Sequence, residues 1–396
     1  MTYGREGIYL DHAATTPTDP AVVEVMLPYF TERFGNPSSI YQLGQESRAA
    51  IDVARRQVAQ VLQASSREII FTSGATESNN LAVRGAVGEY RRRRGQDSQP
   101  HVIISAIEHH AVLDVVRQLE TEGVEVDIIR CDVTGVVDVA AIERAIRPET
   151  CLVSVMLANN EIGTIQPVAE IAQIARDRGV ATHTDAVQAA GLLDISVRNL
   201  GIDMLSLSAH KFYGPKGVGA LYVRQGTPIR FQQRGGGQES GRRGGTENVP
   251  LIVGMGEALQ RASAIREQYA AHCRELRDHL WELLQARLPG VVRNGTDDPE
   301  RALPNILNVV LPGVQGETML LNLDLLGISA SAGSACTTGN SEPSHVIGAI
   351  GRTDDEARAT IRFSVGRGNS IEEIERAADA IVESVTRVQA LSEALS

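Results

Sequence analysis

EIIFTSGATESNNLAVRGAVGEYRRRR, residues 68–94, sets a short apolar run, a glycine turn and a long helical pattern in immediate succession. The run EIIFT does not alternate between apolar and polar residues, so it reads as a strand buried on both faces. Ser73 and Gly74 break it, and Ala75 and Thr76 lead into the helix. The same unit recurs along the chain. HVIISA (101–106), VEVDII (124–129), CLVSVML (151–157), VATHTD (180–185), MLSLS (204–208) and VGALYV (218–223) are further strand candidates, with helical patterns such as PVAEIAQIARDRG between several of them. Interleaved in this way they imply an α/β fold built on a seven-stranded, mainly parallel sheet with helices on both faces.

Beyond this region the pattern changes. Residues 249–288 read as one or two long helices, followed by NILNVVLPG, ETMLLNLDLLGISAS, SHVIGAIG, ATIRFSVG and a closing helix from Ser370. That is the pattern of a smaller α+β domain. The expected division is a segment 1–20 packing with the small domain, a large domain over 21–260 and the small domain over 261–396.

Bulk properties exclude some classes. A net charge of −11, from 38 basic and 49 acidic residues, opposes non-specific nucleic-acid binding, which needs a positive surface. No run approaches the roughly 18 apolar residues of a membrane span, and the opening MTYGREGIYLDHAATTP lacks the apolar core of a signal peptide. Neither membrane insertion nor export is expected. The four cysteines are scattered without a C-x-x-C pattern, the usage of a reducing cytoplasm. Cys131, Cys151 and Cys273 lie in apolar or helical segments and read as packing thiols. Arg91 to Arg94 read as a solvated helix end. Cys336 differs. It sits in SAGSACTTGNSEP, residues 331–343, where nothing is bulky enough to bury it and no neighbouring His or Cys completes a metal site. Such a segment is a loop, and one expected to move.

In parallel sheets, ligands bind beyond the carboxyl ends of the strands. At those ends stand TSGATES, EHH, NNEIG, DAVQ and SAHK. Lys211, behind Ser208 and His210 and before a Gly-Pro turn, is placed to form a Schiff base with an aldehyde cofactor. Pyridoxal phosphate makes further demands. Its pyridine nitrogen needs a carboxylate, for which Asp185 stands ready, and Gln188 in the same turn offers a donor to the ring hydroxyl. Its phosphate needs N–H groups at a helix start, as at Gly74, Ala75 and Thr76. A flat partner for the ring is offered by His109, with His110 as rival, and Asn160 is an amide within the same set.

YLDHAATTP (9–17), FGNPSS (34–39), FTSGATESNN (71–80), EHHAVLD (108–114), NNEIGTIQP (159–167), HTDAVQAAG (183–191), SLSAHKFYGPKGVGALY (206–222), GGGQESGRRGGTENV (235–249), SAGSACTTGNSEPSHV (331–346) and IRFSVGR (361–367) together resemble the cysteine desulfurases of the NifS/IscS type. These are pyridoxal phosphate enzymes of the class V aminotransferase group, with the aspartate aminotransferase-like fold (fold type I). The resemblance runs from about residue 8 to 385 with the motifs in family order.

It implies a role for each matching residue. Lys211 is the Schiff-base lysine, Asp185 the pyridinium partner and Gln188 the ring-hydroxyl donor. His109 is the stacking imidazole and proton shuttle. Ala75, Thr76, Ser208 and His210 form the phosphate cradle. Thr246 is a phosphate contact given by the other subunit of a homodimer. Asn160 is a cofactor- or substrate-side amide. Arg362, helped by Asn36, binds the substrate α-carboxylate, with Arg367 as rival anchor. Cys336, as thiolate, takes sulfur from L-cysteine to become a persulfide, and alanine leaves. An acceptor protein such as an iron–sulfur scaffold then receives the sulfur, and Cys336 is placed to ligate a cluster transiently. The closing VTRVQALSEALS lacks the tail with which housekeeping members grip their scaffold, so the acceptor stays open. Selenocysteine lyase, or another lyase or transaminase on this fold, is the alternative activity. A sulfur carrier without catalysis is the alternative of another class.

Overall fold

The computed structural model describes residues 7–332 and 343–395. Cys336 and the mobility expected of its loop lie outside the described residues. Strand β1 (Ile8–Tyr9) precedes a seven-stranded sheet of β2 (Ile69–Thr72), β3 (His101–Ser105), β4 (Glu125–Ile129), β5 (Thr150–Ser154), β6 (Ala181–Asp185), β7 (Met204–Ser208) and β8 (Gly219–Val223). The order is β2-β8-β7-β6-β5-β3-β4. Strand β8 runs antiparallel to both neighbours and every other pair is parallel. Strands β2, β3, β6, β7 and β8 are buried at every residue. This suits the near-continuous apolar runs of β2, β3 and β8, while β6 and β7 bury polar residues such as His183 and Ser206, bonded to each other at 2.9 Å. Edge strand β4 is half wet. CLVSVML pairs over a shorter span than its sequence suggests: the ladder ends at Ser154, and residues 155–157 continue as extended chain bonded to the end of β6.

The helix Ala75–Arg94 starts at Gly74 directly after β2. Gly219 of β8 passes beneath that turn so closely that an added Cβ would lie 2.5 Å from the Leu207 carbonyl oxygen and 2.7 Å from the Gly74 backbone. Only glycine allows this approach.

The 249–288 region divides at Ile265 into helices Val249–Ala264 and Arg266–Arg287. The first packs on helix Gln42–Leu62 against the large sheet. The second belongs to another core. There β9 (Val292–Asn294), β10 (Ile306–Val310) and β12 (Thr360–Ser364) form an antiparallel sheet in the order β12-β10-β9, packed with helix Ile371–Leu395. Leu280 is fully buried in this core, where truncation to Ala costs about 2–5 kcal/mol. The N-terminal segment joins the same part of the molecule. β1 pairs in parallel with β11 (Ile328–Ser329), and Asp11 bridges to Ser364. No helix among the described residues is long and apolar enough to cross a membrane.

Candidate active site

The parallel strands open onto a cavity of about 560 Å³ at their carboxyl ends. Beyond β7 the chain makes one 3₁₀ turn, Ala209–Lys211, which carries Lys211 into this space. Its Nζ donates to the carbonyls of Ala13 at 2.5 Å and Ala14 at 2.7 Å. Asp185 is the last residue of β6 and is buried. One carboxylate oxygen accepts from Asn79 Nδ2 at 2.7 Å and the other from the Val187 N–H at 3.0 Å. Gln188, in the following turn, donates to the Ala13 carbonyl at 3.0 Å. Gly74, Ala75 and Thr76 line the wall beside Ser208 and His210. The first N–H groups of a helix have no carbonyl of their own helix to bond, which makes this wall fit for an anion.

His109 caps the helix His110–Thr121, its Nδ1 accepting from the Ala111 N–H at 3.0 Å. That bond leaves the proton of the neutral ring on Nε2. Burial lowers the pKa of His109; Asp185 opposes the shift and Lys211 adds to it. His110 also lines the cavity, but it turns towards Asp114 (3.5 Å) and the edge of the His345 ring (centroids 5.0 Å apart). His210 is held down to about 4 by burial together with Lys211 and Lys216, so it lines this wall uncharged.

From the small sheet comes Arg362, in the middle of β12. Its guanidinium donates to Asp11 Oδ1 at 2.7 Å and to the Asn160 carbonyl at 2.8 Å, and both Arg362 and Asn160 line the cavity. Its rival Arg367 lies away from this lining, with its guanidinium over the rings of Tyr213 (4.1 Å) and Tyr269 (5.3 Å). Two expected residues are not brought to the cavity within this chain. Asn36 is exposed and uses its side-chain oxygen to accept from the Ser38 N–H at 2.9 Å. Thr246 is exposed and lines a separate cavity of about 220 Å³ behind the Ser73 turn. The described cysteines are poor nucleophiles: burial pushes Cys151 and Cys273 up to about 12 and raises Cys131 as well.

The structure adds residues that motif reading passed over. Asn79 holds Asp185, and its position four residues after Ala75 puts it on the same helix face, a periodicity readable in the sequence. Glu108 is fully buried, accepting from Ser105 Oγ at 2.5 Å and from the Met156 N–H at 2.8 Å, and burial pushes it up to about 8. Glu161, also raised by burial, accepts from Ser344 Oγ at 2.6 Å. No spacing rule marks either acid as buried.

An amine, a buried carboxylate, a helix start and a flat imidazole around one cavity of this size suit pyridoxal phosphate. The fold is that of the fold type I enzymes. The chain matches the family model Aminotransferase class-V over residues 8–377. It is 46% identical over 368 residues to a cysteine desulfurase IscS of Clostridium botulinum, covering 93% of this chain and 91% of that one. Among solved structures, a NifS-like protein aligns with a TM-score of 0.89 at 37% identity, over 96% of this chain and 100% of the other. A structure of SspA in complex with cysteine aligns at 0.78 and 37% identity, over 91% of this chain and 99% of the other. The chain belongs to the class-V aminotransferase family and, within it, to the cysteine desulfurases of the NifS/IscS type.

Proposed function

We propose that the chain moves sulfur from L-cysteine to Cys336, with pyridoxal phosphate in the 560 Å³ cavity and L-alanine as the other product. The observation that carries this is the convergence of Lys211, Asp185, His109 and Arg362 on that one cavity. The bound cofactor supplies an electron sink for the pair left at the substrate Cα. Asp185, fixed by Asn79, would hold the protonated ring nitrogen, and Gln188 would serve the ring hydroxyl. The N–H groups of Ala75 and Thr76, with Ser208 and uncharged His210, hold the phosphate. Arg362 takes the substrate carboxylate, with Asn160 beside it and Asn36 as helper. The Lys211 amine takes the Cα proton. His109 would exchange protons with the thiols by passing between its neutral ring and the imidazolium, which requires Nδ1 to give up its bond from the Ala111 N–H. In the net reaction the Cβ–S bond breaks, its electron pair stays with carbon and is protonated, and an S–S bond forms at Cys336.

The working unit in this reading is a homodimer in which Thr246 reaches the partner's phosphate. Exposure of Leu27 (56%), Phe30 (56%), Phe34 (66%) and Ile40 (89%) on one stretch supports a covered face there. The chain divides functionally at about residues 20 and 260, works in the cytoplasm, and passes its sulfur to an acceptor protein such as an iron–sulfur scaffold, with transient cluster ligation at Cys336.

The test is product analysis beside absorbance. Wild-type protein should show the bound-cofactor band and release alanine and sulfide from L-cysteine under reductant. Cys336→Ala should keep the band and lose the sulfide; sulfide at the wild-type rate would remove Cys336 from the mechanism. Trapping the persulfide in a pull-down identifies the acceptor.

A further inference from the structure

The loop GGGQESGRRGGTEN, residues 235–248, is held with more force than a surface loop needs. At its base the Gly244 N–H donates to the Gln233 carbonyl at 3.0 Å, and Gln233 Nε2 returns a bond to the Gly244 carbonyl at 2.8 Å. At its tip Glu239 (φ +47°), Ser240 (φ +58°) and Gly241 (φ +77°) adopt three left-handed conformations in a row. Two of the three are not glycine, and such backbone persists only where the surroundings enforce it.

The enforcement comes from the edge of the large sheet. Strand β2 pairs with β8 on one side only. On its other side the Phe71 N–H donates to Glu239 Oε2 at 3.0 Å, so a side-chain carboxylate stands where a further strand would. Glu239 is 3% exposed and takes a two-pronged bond from Arg55, at 2.5 and 2.6 Å. Arg55 also lies over the Phe71 ring at 4.8 Å and donates to the Ile69 carbonyl at 2.9 Å. Arg242 adds bonds to the Arg67 carbonyl at 2.6 Å and the Ile69 carbonyl at 3.1 Å. A second tie reaches the cradle itself. Arg243 pairs with Glu77 at 2.8 and 3.2 Å, and Glu77 accepts from both the Ser73 N–H and its hydroxyl.

Both ties end on the segment 69–77, which leads into the helix start lining the cofactor cavity, and both lie just before Thr246 in the chain. We propose that Glu239 and Arg243 are positioning residues that set Thr246 against the cofactor phosphate by fixing loop 235–248 to the strand and helix of the cradle. This rests on the reading of Thr246 as a phosphate contact. Through it, the chain that builds one phosphate cradle also aims the contact given to its partner's cradle.

The test compares two aldehydes on apoenzyme, read by the Schiff-base absorbance band: pyridoxal phosphate and pyridoxal, which lacks the phosphate. Arg243→Gln breaks a pair that is only partly buried, about one-fifth exposed on each side, and keeps a polar side chain there, so it should fold. Glu239→Gln, which strands the buried Arg55, is read only if its circular dichroism and dimer size match wild type. Each should weaken pyridoxal phosphate about tenfold or more while leaving pyridoxal unchanged. Arg243→Gln should add nothing on a Thr246→Ala background. Equal loss for both aldehydes, no loss, or additivity with Thr246→Ala would overturn the proposal. Mixed dimers separate it from the reading beneath. With Arg243→Gln and Lys211→Ala in one chain, only the partner's site forms the band, and a weakened band supports action across the interface. In the reciprocal dimer, with Lys211→Ala in the other chain, a weakened band that still depends on Thr246 would keep the positioning role and refute the cross-subunit contact.

Discussion

The large sheet delivers Lys211 from a turn beyond the end of β7, whereas the small sheet delivers Arg362 from the middle of β12. Lys211 meets the carbonyls of Ala13 and Ala14. Arg362 is buried and needs a carboxylate, which it finds in Asp11. A charge at a strand end can use the water and open backbone of the sheet edge. A charge inside a strand must bring a partner, because an unpaired ion in a packed layer costs several kcal/mol. The first kind of site is made by local chain order; the second exists only after distant segments meet.

Four experiments press on that contrast. The largest effect is expected from Lys211→Ala, which in the proposed function removes both the covalent anchor and the amine that takes the Cα proton. Alanine production should fall by about 10³-fold or more, with loss of the Schiff-base band. Retention of even a tenth of the activity would break the assignment.

Glu108→Gln probes the strand-end side through pH. Burial raises this carboxyl from its ordinary 4.5 to about 8. The folded state therefore holds a proton that the unfolded chain releases above 4.5. Stability from this group is complete below that pH and is lost as pH rises towards 8, by up to about 1.4 kcal/mol per pH unit. Denaturant midpoints of wild type should fall across pH 5–8 more steeply than those of Glu108→Gln. Parallel slopes would mean that Glu108 is ionised when folded.

Arg362→Lys keeps the charge and loses the two-pronged donor, so KM for L-cysteine should rise roughly 10- to 100-fold. Arg367→Lys should change KM by less than about threefold. A reversed ranking would move the carboxylate anchor past the end of β12. The smallest effect is expected from Asp11→Asn, which keeps an acceptor but removes the opposite charge. Urea denaturation should show a loss of about 1–2 kcal/mol.

The same contrast governs what could be read from residues alone. Strands such as β2, β3 and β8 were legible because burial on both faces goes with near-continuous apolar runs, whereas β6 and β7 carry buried polar residues. Lys211, Asp185, His109 and the Gly74–Thr76 turn were legible because each stands at or shortly beyond the carboxyl end of its own strand. Arg362 and Arg367 could not be ranked. They lie five residues apart in IRFSVGR, and what separates them is Asp11 and Asn160 on one side against Tyr213 and Tyr269 on the other. Glu108 and Glu161 were hidden for a similar reason: a glutamate beside polar neighbours reads as surface, and only packing shows it enclosed. Asn36 and Thr246 lie away from this chain's own cavity, so a role at the cofactor for either calls for a second copy.

The segment 8–16 bonds to both ends of this plan. Its Asp11 meets Arg362 and its Ala13 N–H meets Ser364, each 351 residues further along, while Ala13 and Ala14 receive Lys211. During synthesis the large sheet can pair as its strands leave the ribosome, because its strands span only residues 69–223. The pocket cannot close then. Residues made among the first wait for a strand made among the last, so the wall that Asp11 and Arg362 build together is completed only when nearly the whole chain has been made.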